Sequence, residues 1–318
     1  MGSAWASSPT PVEESKVRII VTGKDGQVAR SLIERGSRAG HQVVALGRPE
    51  IDLAGDASAI VEAIIDARPD AIVSAAAYTA VDTAESDSDT AFAVNEGGAG
   101  AVALAARRLG VPIVHLSTDY VFDGSRSAPY REDDPTAPAS VYGSSKLAGE
   151  EAVVAATDNS AILRTAWVYS PFGANFVRTM LRLAKDRDSV SVVADQVGNP
   201  TSALDIADAV LAVVANLVAD DRAELRGVFH MTGSGEASWA DFAEAIFAAS
   251  ALAGGASARV VPITTAQYPT AARRPANSRL DCSKLAAAHD VRLPPWQGSL
   301  GDVVARLMAA EKMEESTS

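Results

Sequence analysis

Val17-Arg18-Ile19-Ile20-Val21-Thr22-Gly23-Lys24-Asp25-Gly26-Gln27-Val28-Ala29 is the stretch on which the reading of this chain turns. A short apolar run is followed by two glycines and then by a helical pattern from Gln27 to about Ala39. This is a strand, a tight turn and a helix in direct succession. Glycines at the turn let the backbone approach a pyrophosphate, which the helix N-terminus attracts through its free N–H groups and dipole. Ala29 stands where a third glycine is often found, so strand and helix are expected to pack slightly less closely. Two glycines at this spacing also make an ordinary turn; their place after the first strand points to a dinucleotide.

Outward from the turn, short apolar runs alternate with helical segments. Further strands are expected at Val43 to Leu46, Ala71 to Val73, Pro112 to Leu116 and Ala161 to Arg164. An Ala-rich helix is expected from Thr90 to Leu109. Such alternation implies a parallel sheet covered on both faces, a doubly wound Rossmann-type α/β domain over residues 16–170. After Trp167 the rhythm becomes irregular, with prolines at 200, 262 and 269. A smaller, mixed α/β C-terminal substrate lobe is expected over 171–202 and 220–312, the helix at 203–219 returning to the sheet. Residues 1–15 read as a disordered extension and 313–318 as a polar tail, and no internal repeat is visible.

The formal net charge of −12 on 318 residues argues against a nucleic-acid partner, since neutralising phosphates takes clustered Lys and Arg. Cys282 is the only cysteine, which excludes an internal disulfide and suits a reducing cytoplasm. The most apolar long stretch, Ala203 to Ala219, contains Asp205 and Asp208, so it reads as a buried helix and not a membrane span.

Val141-Tyr142-Gly143-Ser144-Ser145-Lys146 opens another helical stretch. Spacing i, i+4 puts Tyr142 and Lys146 on one helix face, where an ammonium would lower the phenol's pKa and fit it for proton transfer. A Tyr-x-x-x-Lys pair is also common on surfaces. Three neighbours favour chemistry: Thr118 with Asp119 at the end of the fourth strand, the small Ser74-Ala75-Ala76-Ala77 run ending the third, and the glycine turn. Ligands of such sheets bind at the carboxyl ends of the strands. After the second strand, Gly47-Arg48 stands where an acidic residue would select NAD, so Arg48 favours the 2′-phosphate of NADPH, with NADH a further candidate. Asp52 either meets the adenine end or caps a helix.

These motifs, together with Ala75 to Asp82, Ser117 to Phe122, Arg164 to Tyr169 and Ala272 to Leu280, resemble the dTDP-4-dehydrorhamnose reductase family of extended short-chain dehydrogenases. The likeness runs from Val17 to about Leu307. It implies reduction of the C4 ketone of a dTDP-hexulose, the dTDP-sugar being the partner, in a monomer or homodimer. It also implies that Gly23, Gly26, Gln27 and Val28 line the pyrophosphate, Asp52 and Leu53 the adenine, and Ala76, Ala77, Tyr78 and Thr79 the middle of the cofactor. Tyr142 would donate the proton, Lys146 would also hold the nicotinamide ribose, and Thr118, Asp119 and Trp167 would meet the sugar. Ser74 in place of the usual asparagine and Gly47 in place of an acidic residue are departures that bear on cofactor preference.

Outside those motifs, Trp167 either covers a sugar face or fills a core. Asn175 either aims a helix at the diphosphate or caps it, and Gln196 lies in a loop suited to touching nucleotide or merely to turning. One of Arg273 and Arg274 is expected to face the diphosphate, and Arg273 is the candidate. His115, His230 and His289 have no metal-ligand spacing and read as structural, so no metal is expected. The rivals are another sugar-nucleotide reductase or 4-epimerase on the same scaffold, and a non-catalytic regulatory subunit of methionine adenosyltransferase.

Overall fold

The computed structural model describes residues 16–317, so the expected extension at 1–15 lies outside the described residues. Its first part runs β1 (Arg18–Thr22), α1 (Gln27–Arg38), β2 (Gln42–Leu46), α2 (Ala57–Asp66) and β3 (Ala71–Ser74). Then come α3 (Val81–Ala84), α4 (Ser88–Phe92), a π-helical turn over Ala93–Gly98, and α5 (Ala99–Leu109). β4 (Ile113–Thr118), α6 (Val141–Ala156) and β5 (Ser160–Thr165) follow. Next are β6 (Val168–Tyr169), α7 (Phe176–Asp186), β7 (Ser189–Val193), β8 (Val197–Gly198), β9 (Thr201–Ser202) and α8 (Ala203–Ala219). The remainder holds β10 (Gly227–His230), β11 (Ala237–Ser238), α9 (Trp239–Leu252), β12 (Arg259–Ile263), α10 (Ser283–His289) and α11 (Trp296–Thr317).

Six parallel strands form the main sheet in the order β10-β5-β4-β3-β1-β2, so the direction of winding reverses between β1 and β3. Register pairs Ile19 with Val43, Ile20 with Ile72, Val73 with Val114 and Leu116 with Leu163. Ile19, Ile20 and Val21 are fully buried, because helices cover both faces and the strand has no solvent side. On one face α1, α8 and α10 pack Leu32, Val210, Val214 and Leu285 against Ile19 and Val21. On the other, α2, α5 and α6 pack Ile60, Val102 and Val153 against Ile72 and Ile162. A separate core around Phe242, Ile246, Tyr169, Val177 and Val303 holds the second lobe, which also contains the parallel pair β7–β12.

Three expectations change. β10 joins the main sheet on the edge of β5, and Leu285 of α10 shares the sheet's core, so segments of 220–312 belong with the first domain. A four-residue strand carries too little period to reveal its partner without the fold. The helix expected over Thr90 to Leu109 is interrupted by the π turn, for a reason found at the site. The chain beyond 312 continues α11 to Thr317, in keeping with the good helix propensity of Lys, Met and Glu.

Candidate active site

β1 ends in Thr22 and turns through Gly23, whose φ of +90° is a conformation L side chains rarely adopt. Its N–H donates to the Leu46 carbonyl at 2.6 Å, and a Cβ on it would stand 3.2 Å from that of Ala76. Gly26 at the N-terminus of α1 makes no side-chain cap, has open space where a Cβ would be, and the first turn holds no acidic residue. The first N–H groups of α1 thus have no side-chain acceptor, and the space before them suits a pyrophosphate. Val28 turns its side chain into the sheet core beneath.

Thr22 does more than end the strand. Its Oγ1 accepts from both Ala75 N and Ala76 N at 3.0 Å, fastening the loop after β3 beside the glycine turn. Ala76 and Ala77 leave that loop half-open, and Thr79 is exposed. Asn95, fully buried in the π turn, accepts from Tyr78 N at 2.8 Å and donates to Tyr78 O and to Ser145 Oγ at 2.9 Å. The Asn95 backbone carbonyl sits where a Cβ on Gly149 would be, so only glycine on α6 admits it. The π turn is the local cost of bringing one amide to both the loop and α6.

At the other end of the crevice, Ser140 caps α6 by accepting from Gly143 N, and Tyr142 and Lys146 share the helix face turned to β4. Thr118 lies within hydrogen-bonding reach of the Tyr142 phenol and donates to Asp119 Oδ1 at 3.0 Å. The Tyr142 ring meets Tyr120 edge-on at 5.5 Å. Asp119 is buried, faces the Ser278 hydroxyl, and its Oδ2 has no hydrogen-bond partner among the described residues. Burial pushes its carboxyl up to about 6, against the opposing pull of Ser278 and Thr118. α6 is locked to the sheet by a buried pair: Arg164 of β5 donates to Glu150 at 2.9 and 2.6 Å, and Ser117 donates to the same carboxylate.

Lys146 departs from expectation in one respect. Its ammonium donates to Leu116 O at 2.7 Å and lies 3.4 Å from His115 Nε2, not against the phenol. Burial therefore raises the Tyr142 phenol to about 12, with Thr118 pulling it down and Asp119 pushing it further up. A buried ammonium takes the nearest acceptors, and these belong to β4. Burial lowers Lys146 itself to about 8, with Glu150 opposing.

Across the crevice, Trp167 follows β5 with a φ of +48°, an outlier for a bulky residue that costs about 1–3 kcal/mol. Its ring stacks on Trp239 at 3.6 Å and lies over Gly198. Asn175 does not offer a free group. Its Oδ1 caps α7 through Arg178 N, and its Nδ2 donates to Gln27 Oε1 at 3.1 Å and to the Ser170 and Phe172 carbonyls. Gln27 also accepts from Ser170, so the phosphate turn is tied to the second lobe. Gln196 is buried and donates to Thr265. Arg274 pairs with Asp82 at 2.7 Å, whereas Arg273 is exposed with no partner among the described residues. Arg48 is likewise exposed and without a partner among the described residues, and it follows Gly47, against which Lys24 packs while pairing with Glu50. Asp52 is exposed and accepts from Ala54 N through Oδ1, and the Leu53 side chain packs in the core beneath the same edge.

A family model for the RmlD substrate binding domain matches residues 17–309. This chain belongs to that family. Among curated relatives, a dTDP-4-dehydrorhamnose reductase of Sinorhizobium fredii is 52% identical over 296 residues, covering 93% of this chain and 99% of the relative. Among solved structures, the dTDP-4-dehydrorhamnose reductase of Clostridium acetobutylicum has a TM-score of 0.84 at 36% identity, covering 91% of this chain and 99% of that one. The Bacillus anthracis dTDP-4-dehydrorhamnose reductase in complex with NADP also has a TM-score of 0.84, at 34% identity and coverages of 92% and 100%.

In this member of the RmlD family, Thr118, Asp119, Tyr142 and Lys146 converge, and the glycine turn lies along the same carboxyl edge. Among the described residues, no side-chain hydrogen bond or ion pair joins Arg48, Arg273 or Gln196 to that group. Several residues that shape the site escaped the sequence reading: Thr22, Asn95, Ser145, Trp239 and the Asp82–Arg274 pair. A polar residue in an otherwise Ala-rich helical window was the one available signal for Asn95. Trp239 offered none, since it stands 72 positions from Trp167.

Proposed function

We propose that this protein passes a hydride from NADPH to the C4 ketone of dTDP-4-dehydro-L-rhamnose, giving dTDP-L-rhamnose, with Tyr142 as the proton donor. The observation that carries the reading is the convergence of Thr118, Asp119, Tyr142 and Lys146 on the crevice that the uncapped N-terminus of α1 also faces. When bound, NADPH would supply the hydride, its oxidation to NADP⁺ balancing reduction of the ketone. Gly23, Gly26 and Gln27 hold the pyrophosphate, and Ala76 to Thr79 leave room for the middle of the cofactor. Arg48 would meet the 2′-phosphate, which favours NADPH over NADH.

The raised phenol keeps its proton at neutral pH, which is the state a donor needs. As hydride reaches C4, negative charge builds on the carbonyl oxygen. Thr118 turns its one hydroxyl hydrogen from Asp119 to that oxygen, and Tyr142 gives it its proton. Lys146, still charged below about 8, steadies the phenolate left behind. The unpartnered Asp119 Oδ2 accepts from a sugar hydroxyl, and Trp167 covers the ring. Arg273 reaches the diphosphate. The lone thiol suits work in the reducing cytoplasm, and no described helix is long and apolar enough to cross a membrane.

The test is NADPH oxidation with freshly made dTDP-4-dehydro-L-rhamnose, beside the same assay with NADH. Stoichiometric dTDP-L-rhamnose, formed faster with NADPH, is the expected outcome. Neither nucleotide being oxidised would overturn the reading, and tightly retained NAD⁺ in the purified protein would favour a 4-epimerase.

A further inference from the structure

His115 and Ser74 are each 1% exposed, and the reaction described above gives neither a role. Both lie next to Lys146. His115 Nε2 is 3.4 Å from the ammonium, and Nδ1 is 3.1 Å from Ser74 Oγ. Burial and the neighbouring ammonium hold the imidazole well below its ordinary range, so the ring is neutral. A neutral ring has one donor and one acceptor, and an ammonium can only donate. Nε2 is therefore the acceptor, the ring proton is on Nδ1, and Ser74 Oγ accepts it. Of the three N–H bonds of Lys146, Leu116 O takes one and His115 a second, which leaves a single hydrogen for cofactor or phenol.

We propose that His115 is a positioning residue for Lys146, held in the correct tautomer by Ser74, so that a polar chain from β3 through β4 to α6 fixes the direction of the ammonium's remaining hydrogen. The proposal rests on the catalytic placement of Lys146 given above. The charged and titratable groups around the chain are few. α6 brings Glu150 and Tyr142, β5 brings Arg164, already paired with Glu150, and the turn after β4 brings Asp119. None of them lies within hydrogen-bonding distance of His115, which makes its acceptor nitrogen the distinctive contribution.

His115→Leu removes the acceptor, and His115→Gln restores one near the position of Nε2. Losing a hydrogen bond to a charged group should cut kcat by about 30-fold with the sugar nucleotide's KM within about twofold. Without its acceptor the ammonium gives up its proton more easily. The alkaline fall of kcat, and of NADPH affinity measured by fluorescence titration, should then move to lower pH by roughly one unit. His115→Gln should recover most of both. Ser74→Ala, which leaves the ring in place, should move both limbs the same way by a smaller step.

Alkaline limbs of NADPH binding that coincide in wild type, His115→Leu and Ser74→Ala would overturn the proposal. So would a His115→Gln enzyme as impaired as His115→Leu. The binding titration needs no sugar nucleotide. A wild-type protein that binds NADPH with the expected limb but fails to reduce the sugar would sink the proposed substrate and leave this inference standing.

Discussion

On the first-domain side of the crevice, buried side chains fasten the elements that line the cleft: Thr22 fastens Ala75 and Ala76, Asn95 fastens Tyr78 and Ser145, and Glu150 with Arg164 fastens α6. The second lobe instead presents side chains from separate loops: Trp167 on Trp239, Gln196 on Thr265, and Arg273 on no protein group among those described. One side is fixed by buried polar ties, as bond-making requires, and the other leaves Arg273 free to take up a ligand. If this division is right, substitutions on the first side should strike turnover or folding. Those on the second should strike substrate affinity.

The largest effect belongs to Tyr142→Phe, which removes the proton donor and little else. Turnover should fall about 10³-fold, within the range that positioned acid–base groups contribute, while NADPH binds within about twofold of wild type. Single-turnover kinetics and a fluorescence titration measure the two. Turnover within tenfold of wild type would remove Tyr142 from the chemistry.

Gly149→Ala comes next. The added methyl meets the Asn95 backbone carbonyl, and shifting that backbone would pull the side-chain amide from Tyr78 and Ser145. Overpacking of this kind costs about 1–3 kcal/mol, and thermal unfolding should show it as a loss of several degrees. An unshifted Tm would mean that the π turn is not held by this contact.

The same division explains what could be read from the sequence. The strand, turn and helix from Val17 to Ala39 are contiguous, and so are Tyr142 and Lys146, so local spacing is enough to place them. Thr118 becomes legible once its strand is recognised. Asn95 meets Tyr78 and Ser145 across 17 and 50 positions, and Arg274 meets Asp82 across 192, distances over which no local pattern operates. The direction of the Lys146 ammonium was hidden for another reason: helical spacing fixes the face of a side chain but not which acceptor its end selects. β10 pairs with β5, formed far upstream, so no local pattern shows which sheet it joins.

Asp119 supplies a pH-dependent test of the first side. Its carboxyl is raised from an ordinary value of 3.8 to about 6 in the folded protein. The folded chain therefore holds this proton more tightly than the unfolded chain does, and ionisation is penalised. The penalty is absent below about pH 4, develops as pH rises to about 6, and is complete above that, reaching at most about 3 kcal/mol. Asp119→Asn stays neutral throughout. Its Tm relative to wild type should be most favourable near pH 8 and should decline steadily toward pH 4. A difference independent of pH would show that the carboxyl titrates normally.

Arg273→Ala should have the smallest effect, and it is the clearest probe of the second side. Arg274 beside it is already engaged by Asp82, whose carboxyl the guanidinium holds below its usual range, so its loss would loosen the loop it anchors. Arg273 has no such duty, and truncating it should leave Tm unchanged. If it grips the diphosphate, the KM for the sugar nucleotide should rise about tenfold with kcat within about twofold, the pattern of an interaction equal in ground and transition states. An exposed cation is also screened by salt. Wild-type KM should climb with ionic strength, and the variant's should climb less. Equal salt slopes in the two proteins would show that Arg273 is an ordinary solvated arginine, and that the diphosphate is held elsewhere on the second lobe.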